Sequence, residues 1–318
     1  MYDQFLFFDF FQTIVQLLAE LEWTYIGLIH SGDAYGVDAA RELSVALTKK
    51  RICIATVYQH DSVSSTSRNH FHEFLYNVTE MNIKGIVFLG DVAMARLFID
   101  SIEGGPFSQY SIPSIIFSES LGLQSEIFLN SDTNQIYPAT KGAFALSPPH
   151  KEISEFSNHW NAMFSNLSKY QEEPQFNPWL QQFINLGYHK ILNVEKLLTK
   201  YPSSTFVKYA IMATFSVAKI IKDVHKKICY GVSGLCPRMK GEGLSTYIEQ
   251  AKRTVIDFEK DFPLKSKPRN LTEHISFSEE GDIQFGNSVL MYEVYNYQAP
   301  SNDTNFRFVN VSFILIKI

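Results

Sequence analysis

Apolar positions in the first 120 residues fall into short continuous runs separated by stripes at helical spacing. Residues 8–21 carry such a stripe, interrupted by Asp9, Gln12, Gln16 and Glu20, and predict an amphipathic helix. Runs at 24–29, 52–57, 85–89 and 114–117 are apolar on successive positions and predict buried strands. Helix-spaced segments at 37–49, 68–81 and 92–102 lie between them. Strands apolar on both faces, alternating with helices, imply a parallel sheet covered on both sides.

Residues 142–147 form one more strand pattern, closed by Pro148 and Pro149, and the pattern then changes. Residues 150–260 read as mainly helical, with aromatic positions at Phe156, Trp160, Phe164 and Trp179. A long helix is predicted over 205–228, with Tyr209, Met212, Phe215, Ala218, Lys219 and Val224 at helical spacing. Strand patterns return at 274–277, 289–297 and 306–314. A chain of this layout leaves one lobe, builds a second and comes back. Open α/β sheets bind ligands at the carboxyl ends of their strands, which points to loops 30–36, 90–93 and 118–124.

Composition narrows the function. The chain has 318 residues, 28 basic against 33 acidic, for a formal net charge of −5, with both signs interspersed. No basic stripe for nucleic acid and no polybasic membrane patch emerges. No apolar run reaches the roughly 18–20 residues that span a bilayer, and the N-terminal stretch lacks the marks of a signal peptide. No Gly-rich phosphate loop follows a strand, and Gly32-Asp33-Ala34-Tyr35-Gly36 lacks dinucleotide spacing. Neither Ser31 nor Ser118 sits in a nucleophile elbow. His70 and His72 form a close pair without a cysteine or carboxylate cluster, so no metal or other cofactor is expected. The aromatic stripe Phe7, Phe8, Phe10 and Phe11 reads as core or interface. Of three cysteines, Cys229 and Cys236 enclose a short Gly-containing loop. Spacing alone leaves a bridge and two reduced thiols equally open. Five sequons, at Asn77, Asn166, Asn270, Asn302 and Asn310, lean toward an exported glycoprotein.

An ordered set of short motifs then carries a resemblance. Trp23-Thr24-Tyr25-Ile26 is followed by Tyr35-Gly36 after an acidic turn, and by Ile52-Cys53-Ile54-Ala55. Asn177-Pro178-Trp179, the helix 210–229 ending in a cysteine, Cys236 with Met239-Lys240, Glu280-Gly281-Asp282 and Tyr295-Asn296-Tyr297-Gln298 come after. In this order, over about nine tenths of the chain, they resemble the extracellular ligand-binding domain of metabotropic glutamate receptors, class C G-protein-coupled receptors. The resemblance implies an α/β, type I periplasmic-binding-protein-like (Venus flytrap) fold, two lobes hinged over an amino acid. Lobe two would comprise 1–141 plus 273–318, and 142–272 would be the remainder of lobe one, whose N-terminal half is missing. It also implies a Cys229–Cys236 disulfide and a Cys53 whose family counterpart bridges to a cysteine-rich domain.

Site residues follow one at a time from the resemblance. Tyr35 aligns with a tyrosine whose ring packs on the ligand's ammonium, and Glu119 with an aspartate that pairs with the same ammonium. Asp91 takes the place of an acidic pocket residue, although a helix cap explains it equally well. Lys240 aligns with the lysine that holds the distal carboxylate of glutamate. Ordinary loop packing for Tyr35, a solvated loop charge for Glu119 and a surface lysine are the alternatives. Phe7 stands where the family has an ammonium-binding aspartate, with Asp9 out of register, and Gln124 replaces a family arginine. The groups for the ligand's α-carboxylate would lie in the missing segment. The expected function is a non-enzymatic module for an L-glutamate-class amino acid on the extracellular face of the plasma membrane. Its partners would be the missing lobe-one segment, the cysteine-rich and seven-helix domains, and a second receptor copy. A receptor-like module that has lost its ligand is the alternative, favoured by Phe7 and Gln124.

Overall fold

The computed structural model describes residues 4–61, 67–103, 112–121, 123–130, 133, 135–149, 153–165, 206–241, 244–261, 274–278, 283–284, 292–299 and 306–313. They separate into two compact units, one of residues 1–149 and 289–318, the other of 150–288.

The first unit is built as the alternating pattern requires. Helix α1 (Gln4–Glu20) precedes β1 (Tyr25–Ser31), α2 (Ala34–Lys49), β2 (Cys53–His60), α3 (Ser67–Glu80), β3 (Gly85–Leu89), α4 (Val92–Glu103), β4 (Ser114–Phe117) and β5 (Phe144–Ser147). The first five strands run parallel in the spatial order β5-β4-β3-β1-β2. Period-2 alternation divides each strand between two cores. Ile86 and Phe88 of β3 point, with Ile115 and Phe117 of β4, into a cluster filled by Phe71, Phe74 and Phe98 from α3 and α4. Val87, Leu89 and Ile116 point the other way, against Phe10, Ile14 and Leu18 of α1 and Leu43 and Leu47 of α2. Every residue of β3 is buried, the mark of a central parallel strand sealed on both faces. The stripe Phe10–Phe11 belongs to this core, Phe10 packing 5.4 Å from Tyr292.

Elements that depart from the expected bounds do so for visible reasons. Helix α2 begins at Ala34, three positions before the apolar stripe at Val37, because Asp33 caps it: its Oδ1 accepts the Gly36 amide at 2.9 Å. After the second unit the chain returns as β9 (Glu293–Gln298) and β10 (Arg307–Phe313). Strand β9 pairs antiparallel with β5, and β10 with β9, completing a seven-stranded sheet.

The second unit, read by itself, holds α5 (Ser154–Ser165), α6 (Val207–Ile228), α7 (Pro237–Gly241), α8 (Leu244–Arg253), β6 (Ile256–Asp257), α9 (Phe258–Asp261), β7 (His274–Phe277) and β8 (Ile283–Gln284). Helix α6 buries Met212, Ser216 and Val224, whereas Ala218, also at helical spacing, is exposed. Lys219 pairs with Asp223 at 3.2 Å and Asp261 at 3.1 Å. A small core of Ile153, Met212, Ile256, Phe258 and Ile275 sits under an antiparallel three-stranded sheet, β6-β7-β8. The sequence pattern groups residues 274–277 with the returning strands. They instead pair with β6, Ile256 opposite Ile275, and their apolar residues fill this second core. By their contacts the two units divide after Pro149 and before Val289. The Asn177-Pro178-Trp179 tripeptide and the sequons at Asn166, Asn270 and Asn302 lie outside the described residues. No helix among the described residues is long and apolar enough to cross a membrane.

Candidate ligand-binding site

Strands β1, β3 and β4 of the first unit end side by side, and the loops after β1 and β4 bring Tyr35 and Glu119 together. Strand β1 ends in the Ser31-Gly32-Asp33 turn and hands over to α2. A side chain on Gly36 would place its Cβ 2.1 Å from the Ser31 carbonyl oxygen, so the first turn of α2 can press against the end of β1. Ser31 Oγ donates to Asp33 Oδ1 at 2.7 Å. These two hydrogen bonds hold the Asp33 carboxyl below its usual range, the Gly36 amide contributing most. Tyr35 therefore leaves α2 from a fixed turn.

Strand β4 ends at Ser118, whose amide continues the sheet by donating to the Phe88 carbonyl at 3.0 Å. A single 3-10 turn, Glu119–Leu121, follows. Its hydroxyls tie it to the end of β3: Ser118 Oγ and Ser120 Oγ are 2.7 Å apart, and Ser120 Oγ donates to the Gly90 carbonyl. Glu119 is thereby aimed at Tyr35, whose hydroxyl donates to Glu119 Oε1 at 3.0 Å.

The second carboxylate oxygen gives the site its character. Glu119 Oε2 is sealed from solvent and has no hydrogen-bond partner. Burial pushes the Glu119 carboxyl up to about 7, and its own amide and the Tyr35 hydroxyl draw it back only in part. The Tyr35 phenol is raised well above its ordinary range, first by burial and then by the neighbouring carboxylate. A buried acceptor without a donor costs about 1–3 kcal/mol. Oε2 would be satisfied by an N–H donor such as an ammonium once the seal over it opens, with the Tyr35 phenol as its neighbour.

Asp91, after β3, is exposed and caps α4, its Oδ1 accepting the Met94 amide at 2.7 Å. Gln124 is exposed ahead of the 3-10 helix Ser125–Phe128. The side chains of Phe7 and Asp9 lie outside the described residues, as does that of Lys240, whose backbone belongs to α7. Cys229 and Cys236 form a disulfide, with Cα atoms 5.6 Å apart, joining the end of α6 to the start of α7. Cys53 is a free, exposed thiol at the start of β2. His72 donates from Nε2 to the Ser101 carbonyl at 2.9 Å and so links α3 to α4.

Sequence reasoning passed over two supports of this region. The Ser118 and Ser120 hydroxyls flank Glu119 and hold its turn, and the polar triplet directly after an apolar strand was their one signal. Arg96 was missed entirely. Its Nη1 donates to the Leu129 and Ile127 carbonyls at 2.8 and 3.2 Å, its Nε pairs with Asp100 at 3.3 Å, and its guanidinium lies over the Tyr137 ring. It braces the segment that follows the Glu119 turn.

Comparison with known proteins agrees in family. Residues 10–299 match the model of the receptor family ligand binding region. Metabotropic glutamate receptor 8 of Mus musculus is 22% identical over 322 residues, covering 94% of this chain and 31% of that protein. Metabotropic glutamate receptor 4 of Rattus norvegicus is 20% identical over 321 residues, with the same coverage. A probable metabotropic glutamate receptor of Caenorhabditis elegans is 19% identical over 238 residues, covering 68% of this chain and 23% of its own length. The chain thus spans about a third of the length of the first two relatives.

Proposed function

The chain belongs to the receptor family of ligand-binding regions, whose fold is periplasmic-binding-protein-like, and from that premise we propose that it is part of the extracellular amino-acid-binding module of a G-protein-coupled, metabotropic glutamate-type receptor. The observation that carries the reading is Glu119 Oε2, a sealed acceptor without a donor, beside Tyr35 at the carboxyl ends of the strands. In this reading the ligand's ammonium donates to Oε2 and packs on the Tyr35 ring. Lys240 receives the distal carboxylate of an L-glutamate-class ligand, and Asp91 contributes negative potential at the rim. The module faces the extracellular side of the plasma membrane. It works with the rest of lobe one, cysteine-rich and seven-helix domains, and a second receptor copy. The relatives carry the names of receptors, in keeping with a role that is not catalytic.

The test is amino-acid binding by the receptor ectodomain that contains this chain, measured by calorimetry. Glu119→Ala and Tyr35→Ala should each weaken L-glutamate at least tenfold, because each removes a partner of the ammonium. Lys240→Ala should weaken L-glutamate more than glycine, which has no distal charge. Wild-type affinity in both of the first two variants would overturn the reading. The second reading, a receptor-like module without an amino-acid ligand, rests on Phe7 and Gln124 and is favoured by an ectodomain that binds no amino acid at all.

A further inference from the structure

We propose that Glu119 exchanges a proton for the ligand's ammonium: under mildly acidic conditions the carboxyl holds a proton in the unliganded site and gives it up when an amine binds. The inference rests on the amino-acid reading above and adds to it a dependence on extracellular pH. Its basis is geometric. One oxygen of the carboxyl has the Tyr35 hydroxyl at 3.0 Å; the other is closed off from water with no donor. An ionised carboxylate needs several donors once water is excluded, whereas a neutral carboxyl has less charge to satisfy.

Among the described residues, none supplies Glu119 with a counter-charge. From α2, Tyr35 reaches Glu119, while Asp33 is engaged by Ser31 and Gly36 and Asp38 pairs with Arg41. From the β3–α4 junction comes only another acid, Asp91, held by the Met94 amide. On α4, Arg96 is committed to Asp100 and to the Ile127 and Leu129 carbonyls. Strand β5, packed against the Glu119 turn, runs Phe-Ala-Leu-Ser and carries no titratable side chain. The upward shift of Glu119 to about 7 agrees with this inventory.

Binding then proceeds with a balanced exchange. The Glu119 O–H bond breaks, its proton passes to a buffer base in solution, and the ligand's intact ammonium donates to the freed carboxylate. Affinity falls as pH drops below the carboxyl's own midpoint, because the proton competes with the ligand. A site with a midpoint near 7 loses about thirtyfold in affinity between pH 8 and pH 5.5.

Two measurements test this. In the 318-residue chain with carbon-13 in its glutamate carboxyls, the signal lost in Glu119→Gln should titrate near neutrality; a midpoint below 5 overturns the proposal without any ligand. In the receptor ectodomain, calorimetry with L-glutamate at pH 6, repeated in buffers of different ionisation enthalpy, should show release of close to one proton per ligand bound. Tyr35→Phe, which removes the hydroxyl that favours the ionised carboxyl, should move the pH midpoint of binding upward. Binding without proton release, equally tight at pH 5.5 and pH 8, overturns the exchange and leaves the amino-acid reading intact. No binding of L-glutamate at any pH overturns both.

Discussion

The indole ring of Trp23 occupies the space where a side chain on Gly85 would stand: a Cβ there would fall 2.1 Å from Trp23 Cε3. Trp23 packs against the α1–α2 core, and Gly85 opens the central strand β3. The pair therefore fixes how the chain turns from α1 into β1 beside its neighbour. Gly85→Ala should destabilise the protein by about 1–3 kcal/mol, the cost of overpacking a filled core. Urea unfolding measures it. Combining Gly85→Ala with Trp23→Leu should cost less than the sum of the two single changes, because the smaller side chain leaves room for the new methyl.

Glu119 should oppose the fold as pH rises. Its carboxyl is raised on folding from 4.5 to about 7, so the native chain holds a proton that the unfolded chain releases earlier. The stability contributed by protonated Glu119 is fully present below about pH 4.5 and is lost as pH climbs through 7. Glu119→Gln, neutral at every pH, should stabilise the unliganded chain at pH 8 by roughly 1–3 kcal/mol, the scale of a buried unsatisfied group. At pH 5 the variant should differ little from wild type. A thermal-melt series from pH 5 to pH 8 tests the divergence; parallel curves would count against it.

The Cys229–Cys236 bridge closes a short loop between α6 and α7. Constraining that loop in the unfolded chain stabilises the protein by about 2.5 kcal/mol on the chain-entropy estimate. Replacing both cysteines by serine should lower the urea midpoint by a corresponding amount. Amide exchange should quicken first around Val224 and Met239, which share a buried cluster with the two sulfurs.

Cys53, exposed and unbridged, should form disulfide-linked dimers of the isolated chain under mild oxidation. Non-reducing electrophoresis would show them, and Cys53→Ser should abolish them. Dimers persisting in that variant would place the contact elsewhere.

The parallel part of the fold was legible because its cause is local. Every residue of 85–89 is apolar, and a strand between two helical layers has to be. The helices at 37–49, 68–81 and 92–102 announced themselves by their stripes, and only caps such as Asp33, which act outside the stripe, shifted their ends. The sequence pattern misplaces strand β7, because four residues of mixed polarity state that they extend, not which partner they meet. Nothing local joins Tyr35 to Glu119, which are 84 positions apart. The pair was named from a resemblance of ordered motifs, and the sheet topology supplies the physical reason they meet, by setting the ends of β1 and β4 on either side of β3. Arg96 left no trace in the sequence, since the groups it binds are mostly backbone carbonyls, which every residue has.

The return of the chain to its first unit also sets an order of events during synthesis. Strand β5 finishes at Ser147, but its partner β9 begins at Glu293, and Tyr292, Val294 and Tyr297 complete both cores of that unit. A ribosome adding about 5–20 residues per second needs on the order of ten to thirty seconds to cover that interval. Throughout it, the edge of β5 that β9 will pair stays open and the places of Tyr292, Val294 and Tyr297 in the two cores stay unfilled. The nascent first unit is thus an unfinished sheet waiting on the tail of its own chain, and it is there, more than anywhere in the finished molecule, that a chaperone would find something to hold.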